Sequence, residues 1–321
     1  MEPKLFTTAG GKDYRTAGTI NLDKVKKFLE SKGYDILEID QLWRHVTGKL
    51  KKGKGLFFFK MATTLGVAER TKNEFAWNEE FHKHVKNSEQ SFTVPRNKEY
   101  GFYDDTLFYF ISDYFEGDYL ATKYPQDKKD LEKWLERIAA AALCIQNLAE
   151  MNLPKDEDTK KKLSELGITK AQYMHKNASE WAKSFETDVS DLLKIVRGAE
   201  QSIQTATSHG DFIPWHMREI GNARFGLVDG EHAAGLGVKY YDAAYFYHRV
   251  YTSLEEPYIA KQFLKTLKTK LDNKEKNLLL EEIRPILALR CIGGFFDAEN
   301  EGKTDTTLHK KLMSEIITGE I

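Results

Sequence analysis

The order in which hydrophobic patterns succeed one another constrains this fold more than any other feature of the chain. Apolar residues between Ile36 and Ala62 fall into three strand-like runs, Ile36 to Ile39, Leu42 to Leu50 and Leu56 to Ala62. Lys51-Lys52-Gly53-Lys54-Gly55 forms a turn between the last two, and its lysines read as a solvated hairpin tip rather than a nucleic-acid patch. A helix is expected before them, where Leu22, Val25, Phe28 and Leu29 follow the N-cap candidate Asn21 and precede the stop signal Gly33. A second helix is expected from about Arg70 to Val85, and two strands around Asp104-Asp105, the second being Thr106 to Asp113. After Gly117 the character changes. Leu131, Trp134, Leu135, Ile138 and Leu143 form a helical stripe between Asp130 and Met151, and Pro154 to Lys162 reads as a charged loop. Helices are expected near 169–185 and 188–206, then a mixed stretch to about 231, then helices to the end. Strands with one helix first and long helices afterwards describe an α+β chain, with a small β-rich N-lobe and a larger α-helical C-lobe. The expected division is an N-terminal arm and helix over 1–33, the N-lobe over 34–116 and the C-lobe over 117–321.

Composition narrows the partners. The 321 residues are 41% hydrophobic, enough to fill a sizeable core, which excludes global disorder. Forty-eight basic and 49 acidic residues give a net charge of −1, so no overall field recruits nucleic acid or an anionic membrane. Cys144 and Cys291 stand far apart in apolar contexts and read as buried free thiols. His82 and His84, two apart on an expected helix, face different directions and make a poor metal pair. The stretch from Met1 to Gly11 has no apolar segment of the secretory kind. The longest apolar run, Ile138 to Ile145, falls far short of the roughly 20 residues of a membrane span. A reduced, cytoplasmic protein without a membrane or nucleic-acid partner is the expectation. Residues 1–20 read as a loop or a loosely docked arm. Within them Gly10-Gly11-Lys12-Asp13 fails as a phosphate loop, because Phe6 holds the place of the required glycine and Asp13 that of the Ser or Thr.

Chemistry concentrates between Ser208 and Glu231. His209-Gly210-Asp211 opens the stretch, Pro214-Trp215-His216 follows, and Phe225-Gly226-Leu227-Val228-Asp229-Gly230-Glu231 closes it. Asp211 and Asp229 lie 18 residues apart across a turn-rich segment and a short apolar strand, so a hairpin could return both to one edge. Phosphoryl transfer uses such a pair: one carboxylate orients the attacking hydroxyl and takes its proton, the other holds Mg²⁺ against phosphate oxygens. Upstream, Lys60 ends the aromatic run Phe57-Phe58-Phe59, and Glu74 lies on the following helix. A lysine fixed by a neighbouring glutamate can clamp the phosphates of a nucleotide.

Together these positions resemble the aminoglycoside phosphotransferase and choline kinase group, small-molecule kinases with a protein-kinase-like fold. His209-Gly210-Asp211-Phe212-Ile213-Pro214-Trp215-His216 is similar to that group's catalytic loop, usually HGD, four residues and an Asn. Asp229-Gly230-Glu231 resembles its metal-binding Asp-x-Glu, and Tyr241-Asp242-Ala243-Ala244 the Asp-Leu-Ala segment whose aspartate braces the catalytic loop. Asp113-Tyr114-Phe115-Glu116-Gly117 stands where the hinge should be. The resemblance implies an ATP- or GTP-dependent phosphotransferase acting on a hydroxyl of a metabolite or aminoglycoside-like small molecule. Asp211 would be the catalytic base, and Lys60 with Glu74 would bind the nucleotide phosphates. The Asp113 carbonyl and Phe115 amide would hold the adenine, and Asp229 and His216 the Mg²⁺ or Mn²⁺.

Two positions depart from the group's pattern. His216 occupies the Asn position, and an imidazole is a poorer ligand for Mg²⁺ than an amide oxygen and a better one for Mn²⁺. The loop between the first two strands, Trp43-Arg44-His45-Val46-Thr47-Gly48, holds a single glycine. His216 therefore keeps a second reading open, a pseudokinase that binds nucleotide without turnover. Action on protein substrates has less support, because no activation segment ending in Ala-Pro-Glu follows.

Overall fold

The computed structural model of the protein describes residues 13–85, 91–122, 130–149 and 151–321. Most of the expected arm, with the Gly10-Gly11-Lys12 segment, lies outside the described residues. Residues 13–20 run along the start of the fold, where the Gly18 amide donates to Thr63 Oγ1 at 3.1 Å and Gln41 Nε2 donates to the Gly18 carbonyl at 2.6 Å. Helix α1 (Leu22–Ser31) starts at Asn21, whose side chain accepts the Lys24 N–H at 3.1 Å. A cap of this kind contributes about 1 kcal/mol. Val25 and Leu29 of α1 join Val46, Leu50, Phe59 and Ile111 in one core, so the helix covers one face of the first sheet.

That sheet contains β1 (Asp35–Leu42), β2 (His45–Lys52), β3 (Gly55–Ala62), β5 (Asn97–Tyr103) and β6 (Leu107–Asp113). Its order is β1-β2-β3-β6-β5, antiparallel throughout. Leu42 pairs with His45, so it ends β1 instead of opening the second strand, and the turn is only Trp43-Arg44. The six-residue loop expected there is absent: Gly48 sits inside β2 opposite Ile39. Apolar residues on both sides of the turn, and no turn-type residue in it, hide the break. Asp104 and Asp105 both have positive φ (47° and 57°) in the three-residue turn, 104–106, that joins β5 to β6 between the paired Tyr103 and Leu107. Helix α2 (Leu65–His84) begins at Thr64, whose hydroxyl accepts the Val67 N–H, and so starts earlier than its apolar stripe suggests.

The second lobe comprises α3 (Leu135–Gln146), α4 (Pro154–Leu166), α5 (Lys170–Trp181), α6 (Ser190–Gly198), β7 (Thr205–Ser208), β8 (Met217–Glu219), β9 (Phe225–Leu227) and β10 (Ala234–Val238). It ends with α7 (Tyr241–Thr252), α8 (Pro257–Thr269), α9 (Asn273–Asn300) and α10 (Thr307–Thr318). Residues 154–162, expected as a charged loop, are the first part of α4. Pro154 stands at its first turn with Asp156 and Glu157, where a fixed φ and negative charge both favour a helix start, and Gly167 caps its end at φ 64°. The helix was hidden because it buries polar groups. Asp156 faces inward and accepts the Gly235 and Leu236 amides at 2.8 and 2.9 Å. Strand β10 was also not expected; it pairs antiparallel with β7. The short strand β4 (Phe92–Thr93) pairs parallel with β9, and β9 pairs with β8. Trp77 and Phe81 of α2 share a core with Phe92, Phe225 and Leu227, which joins the two lobes through α2. Cys291 is buried as expected, whereas Cys144 is only half-buried. Among the described residues no helix is long and apolar enough to cross a membrane.

Candidate active site

The segment from His209 to His216 leaves β7 and is fixed from below by Asp242 at the start of α7. Its two carboxylate oxygens accept the His209 and Gly210 amides at 2.7 and 2.9 Å. Burial pushes the Asp242 carboxyl up to about 7, against the pull of those two donors. Gly210 has φ 82°, and a Cβ there would run into the His232 carbonyl, so no other residue fits this turn. His209 is fully buried, edge-on to Trp77 with ring centroids 5.6 Å apart. Burial holds its pKa down to about 3, which keeps it neutral and makes it a core residue. Since the unfolded imidazole titrates near 6.5, its stabilising contribution is complete above that pH and is lost as pH falls toward 3. His209→Phe should therefore lose less stability than the parent between pH 6.5 and 4 in paired denaturant titrations, whatever its absolute stability.

The β8–β9 hairpin turns the chain back, and Asp229 follows at its end in a left-handed conformation, φ 65°. It meets Lys60, which β3 places at a nearly buried position, 6% exposed. The Lys60 ammonium lies 2.5 Å from Glu74, 2.7 Å from Asp229 and 3.9 Å from Glu231. Burial opposes the charge on Lys60, but Asp229, Glu74 and Glu231 outweigh it and raise its pKa. Burial likewise opposes ionisation of Asp229, yet Lys60 and His216 hold its carboxyl well below the usual range. Glu74 is the weak member of the group: burial pushes it up to about 7 despite Lys60. The strand lysine, the helix glutamate and the hairpin aspartate thus meet across 169 residues of sequence.

Asp211 lies beside this group. Burial raises its pKa, His216 opposes the rise and Asp229 adds to it. Its Oδ1 is buried without a hydrogen-bond partner. His216 Nδ1 is 3.1 Å from the Asp211 carbonyl, and Nε2 is 3.4 Å from Asp229 Oδ2. If Nδ1–H donates to that carbonyl, the lone pair on Nε2 faces a carboxylate oxygen, and the two repel unless a cation or proton comes between them. One atom each of Asp211, His216 and Asp229 lies within 4.8 Å of the others. Two carboxylates and an imidazole with an orphaned oxygen fit a divalent cation, and the nitrogen ligand suits Mn²⁺ better than Mg²⁺.

A cleft of about 230 Å³ opens between β1, β2, β6 and the segment 113–115, with Ile39, Phe58, Glu74 and Val228 in its walls. Asp113 and Phe115 both line it. The Asp113 side chain is engaged elsewhere, with Lys98 at 2.8 Å and the Arg96 amide at 3.3 Å. The Phe115 ring lies over Gly226, where a side chain would displace it. Glu231, the last residue of the Asp-x-Glu segment, and two side chains not singled out from sequence, Arg218 and Asn73, hold this region. Glu231 pairs with Arg44 of the β1–β2 turn and lies 3.7 Å from His45, latching that turn to the second lobe. Arg218 donates to the Phe115 carbonyl at 2.6 Å and stacks on Tyr119. Asn73 donates to the Ala233 carbonyl at 2.9 Å and so ties α2 to the segment after Asp229. Local signals could not reveal them, since each partner is more than 80 residues away. The tyrosine-rich α7 divides. Phe246, Tyr247 and Tyr251 are buried core residues, whereas Tyr241 and Tyr245 stack on each other and Arg290 lies 4.1 Å over Tyr245.

No family model matches the chain, and no curated protein matches it either. Its structure is similar to aminoglycoside phosphotransferase APH(4)-Ia, at a TM-score of 0.65 and 15% identity over 94% of this chain and 100% of that one. It is similar to choline kinase LicA from Streptococcus pneumoniae at a TM-score of 0.53 and 13% identity, covering 93% and 98%. Aminoglycoside 2'-phosphotransferase-IIIa, in its GDP complex, gives 0.59 and 12%, covering 94% and 99%. A thermostable mutant of APH(4)-Ia has also been seen in a ternary complex with ADP and hygromycin B. The chain therefore has the protein-kinase-like fold of these proteins, with a small antiparallel-sheet lobe and a helical lobe.

Proposed function

We propose that this chain is a phosphotransferase that moves the γ-phosphate of ATP or GTP to a hydroxyl of a small molecule, a metabolite or an aminoglycoside-like compound, in the cytoplasm. The observation that carries the reading is the meeting of Lys60, Glu74, Asp229, His216 and Asp211 at the edge of the 113–115 cleft. The complexes of the structurally similar proteins with ADP or GDP support a nucleotide in that cleft. In this reading the Asp113 carbonyl and the Phe115 amide hold the base, and Lys60, kept charged and in place by Glu74, binds the nucleotide phosphates. Asp211 orients the acceptor hydroxyl and takes its proton, a role suited to a carboxylate whose pKa is raised. Asp229 and His216 would hold the divalent cation, Mg²⁺ or Mn²⁺, that neutralises phosphate charge when bound, with Asp211 beside it. The acceptor lies against the helical lobe, where Tyr245 and Arg249 act on Asp211 and Arg290 stacks on Tyr245.

His216 favours the other reading, a pseudokinase that keeps the fold and the nucleotide but not turnover. Release of ADP or GDP in the presence of a panel of hydroxyl acceptors, measured in Mg²⁺ and in Mn²⁺, decides between them. Turnover is expected, faster with Mn²⁺. His216→Asn should shift the preference toward Mg²⁺ by roughly tenfold, about 1.4 kcal/mol. A nucleotide that raises the melting temperature but is never consumed under either metal would establish the pseudokinase.

A further inference from the structure

A second cavity, of about 290 Å³, shares no lining residue with the hinge cleft. α2, α4, α5 and the paired strands β7 and β10 enclose it, and it touches Gly210 of the catalytic loop and His232 just after the Asp229–Glu231 segment. Its volume is at the lower end of small-molecule sites. The charge on its walls is one-sided. Arg70, Lys155, Lys162 and Lys170 face it, against a single carboxylate, Asp158.

These cations are held in place. Lys155 stands in the first turn of α4. Its backbone N–H donates to Asn73 Oδ1 at 2.9 Å, and its ammonium donates to the His232 carbonyl. The Arg70 guanidinium lies 4.2 Å over the Tyr14 ring, and its Nε is buried without a hydrogen-bond partner. Burial, with repulsion from Arg70 and Lys170, lowers the Lys155 pKa to about 7 against the opposing pull of Asp156 and Asp242. Burial also lowers that of Lys170. Gathering cations that repel one another in a partly desolvated hollow carries a free-energy cost, which an anion between them would remove.

We infer that this cavity is a binding site for a small organic phosphate, held by Arg70, Lys155 and Lys170. Phosphate fits better than a lone carboxylate because its oxygens can satisfy a guanidinium and two ammonium groups together. The occupant would lie against Gly210 and His232, in contact with both the catalytic loop and the metal-binding segment. The inference concerns binding alone and does not depend on the phosphotransferase reading.

Thermal unfolding of the full chain provides the test, with inorganic phosphate and glycerol phosphate as probes and sodium chloride at matched ionic strength as control. Both phosphates should give a saturable rise of about 5 °C that chloride does not reproduce. The rise should persist in saturating ADP, which separates this site from the hinge cleft. Lys155→Gln and Arg70→Gln should each weaken the phosphate response by about tenfold or more. Arg70→Gln keeps the test decisive if Lys155→Gln folds poorly. A phosphate response equal to that of chloride, or one unchanged in both variants, overturns the proposal.

Discussion

Asp211→Asn is expected to lower turnover by about 10²- to 10⁴-fold while leaving the nucleotide-dependent rise in melting temperature intact. The substitution keeps the shape of the side chain and removes its ability to take a proton. Asp211 touches neither Lys60 nor the 113–115 cleft, so nucleotide affinity should barely change. Burial raises the Asp211 pKa, which makes the carboxylate a stronger base and moves the acid limb of the rate profile upward. Below that limb Asp211 is protonated and the rate falls. Steady-state rates from pH 4 to 9, together with thermal shifts in ADP, measure both effects. A variant that turns over at the parental rate would remove Asp211 from the chemistry.

The meeting of the candidate site residues is legible in the sequence because local pattern anchors them. The segment from His209 to His216 leads into β8, which pairs with the apolar strand β9 before Asp229, so short-range spacing brings the two aspartates to the same edge. Lys60 and Glu74 were readable in the same way, as a strand end and the helix that follows. The failures have a different origin. Helix α4 contains many lysines and buries Asp156 and Thr159 instead of an apolar stripe, so periodicity was silent about it. The Arg44–Glu231 latch, the Asn73 tie and the cationic cavity each join segments far apart in the chain, and no local composition encodes such a meeting. The β1–β2 loop was drawn too long because apolar residues continue across its turn. Fold class follows from the order of patterns, while the fastening of the lobes depends on tertiary contacts.

Lys60→Met should destabilise the nucleotide-free protein by about 3–5 kcal/mol at neutral pH, the cost of leaving buried carboxylates without their counter-ion. Lys60 is bonded to Glu74 and Asp229, with Glu231 close by, and methionine preserves the stem while removing the charge. The deficit should depend on pH in a defined direction. With Lys60 present the Glu74 pKa is already about 7, and loss of the ammonium can only raise it. A carboxyl raised in the folded state favours folding below its unfolded pKa and loses that contribution as pH rises through the folded value. The gap between parent and variant should therefore be wider near pH 8 than near pH 5, where the lost Lys60–Asp229 pair still leaves a deficit. Adding Glu74→Gln to Lys60→Met should recover part of the loss, since it removes one of the stranded charges. Denaturant titrations of the four proteins at the two pH values measure this directly. Equal deficits at both, or strict additivity of the two substitutions, would show that Lys60 acts through packing and not through its charge. The nucleotide-dependent thermal shift supplies the link to function. It should vanish in Lys60→Met and survive in Glu74→Gln with reduced affinity, because the glutamate only positions a lysine that binds phosphate itself.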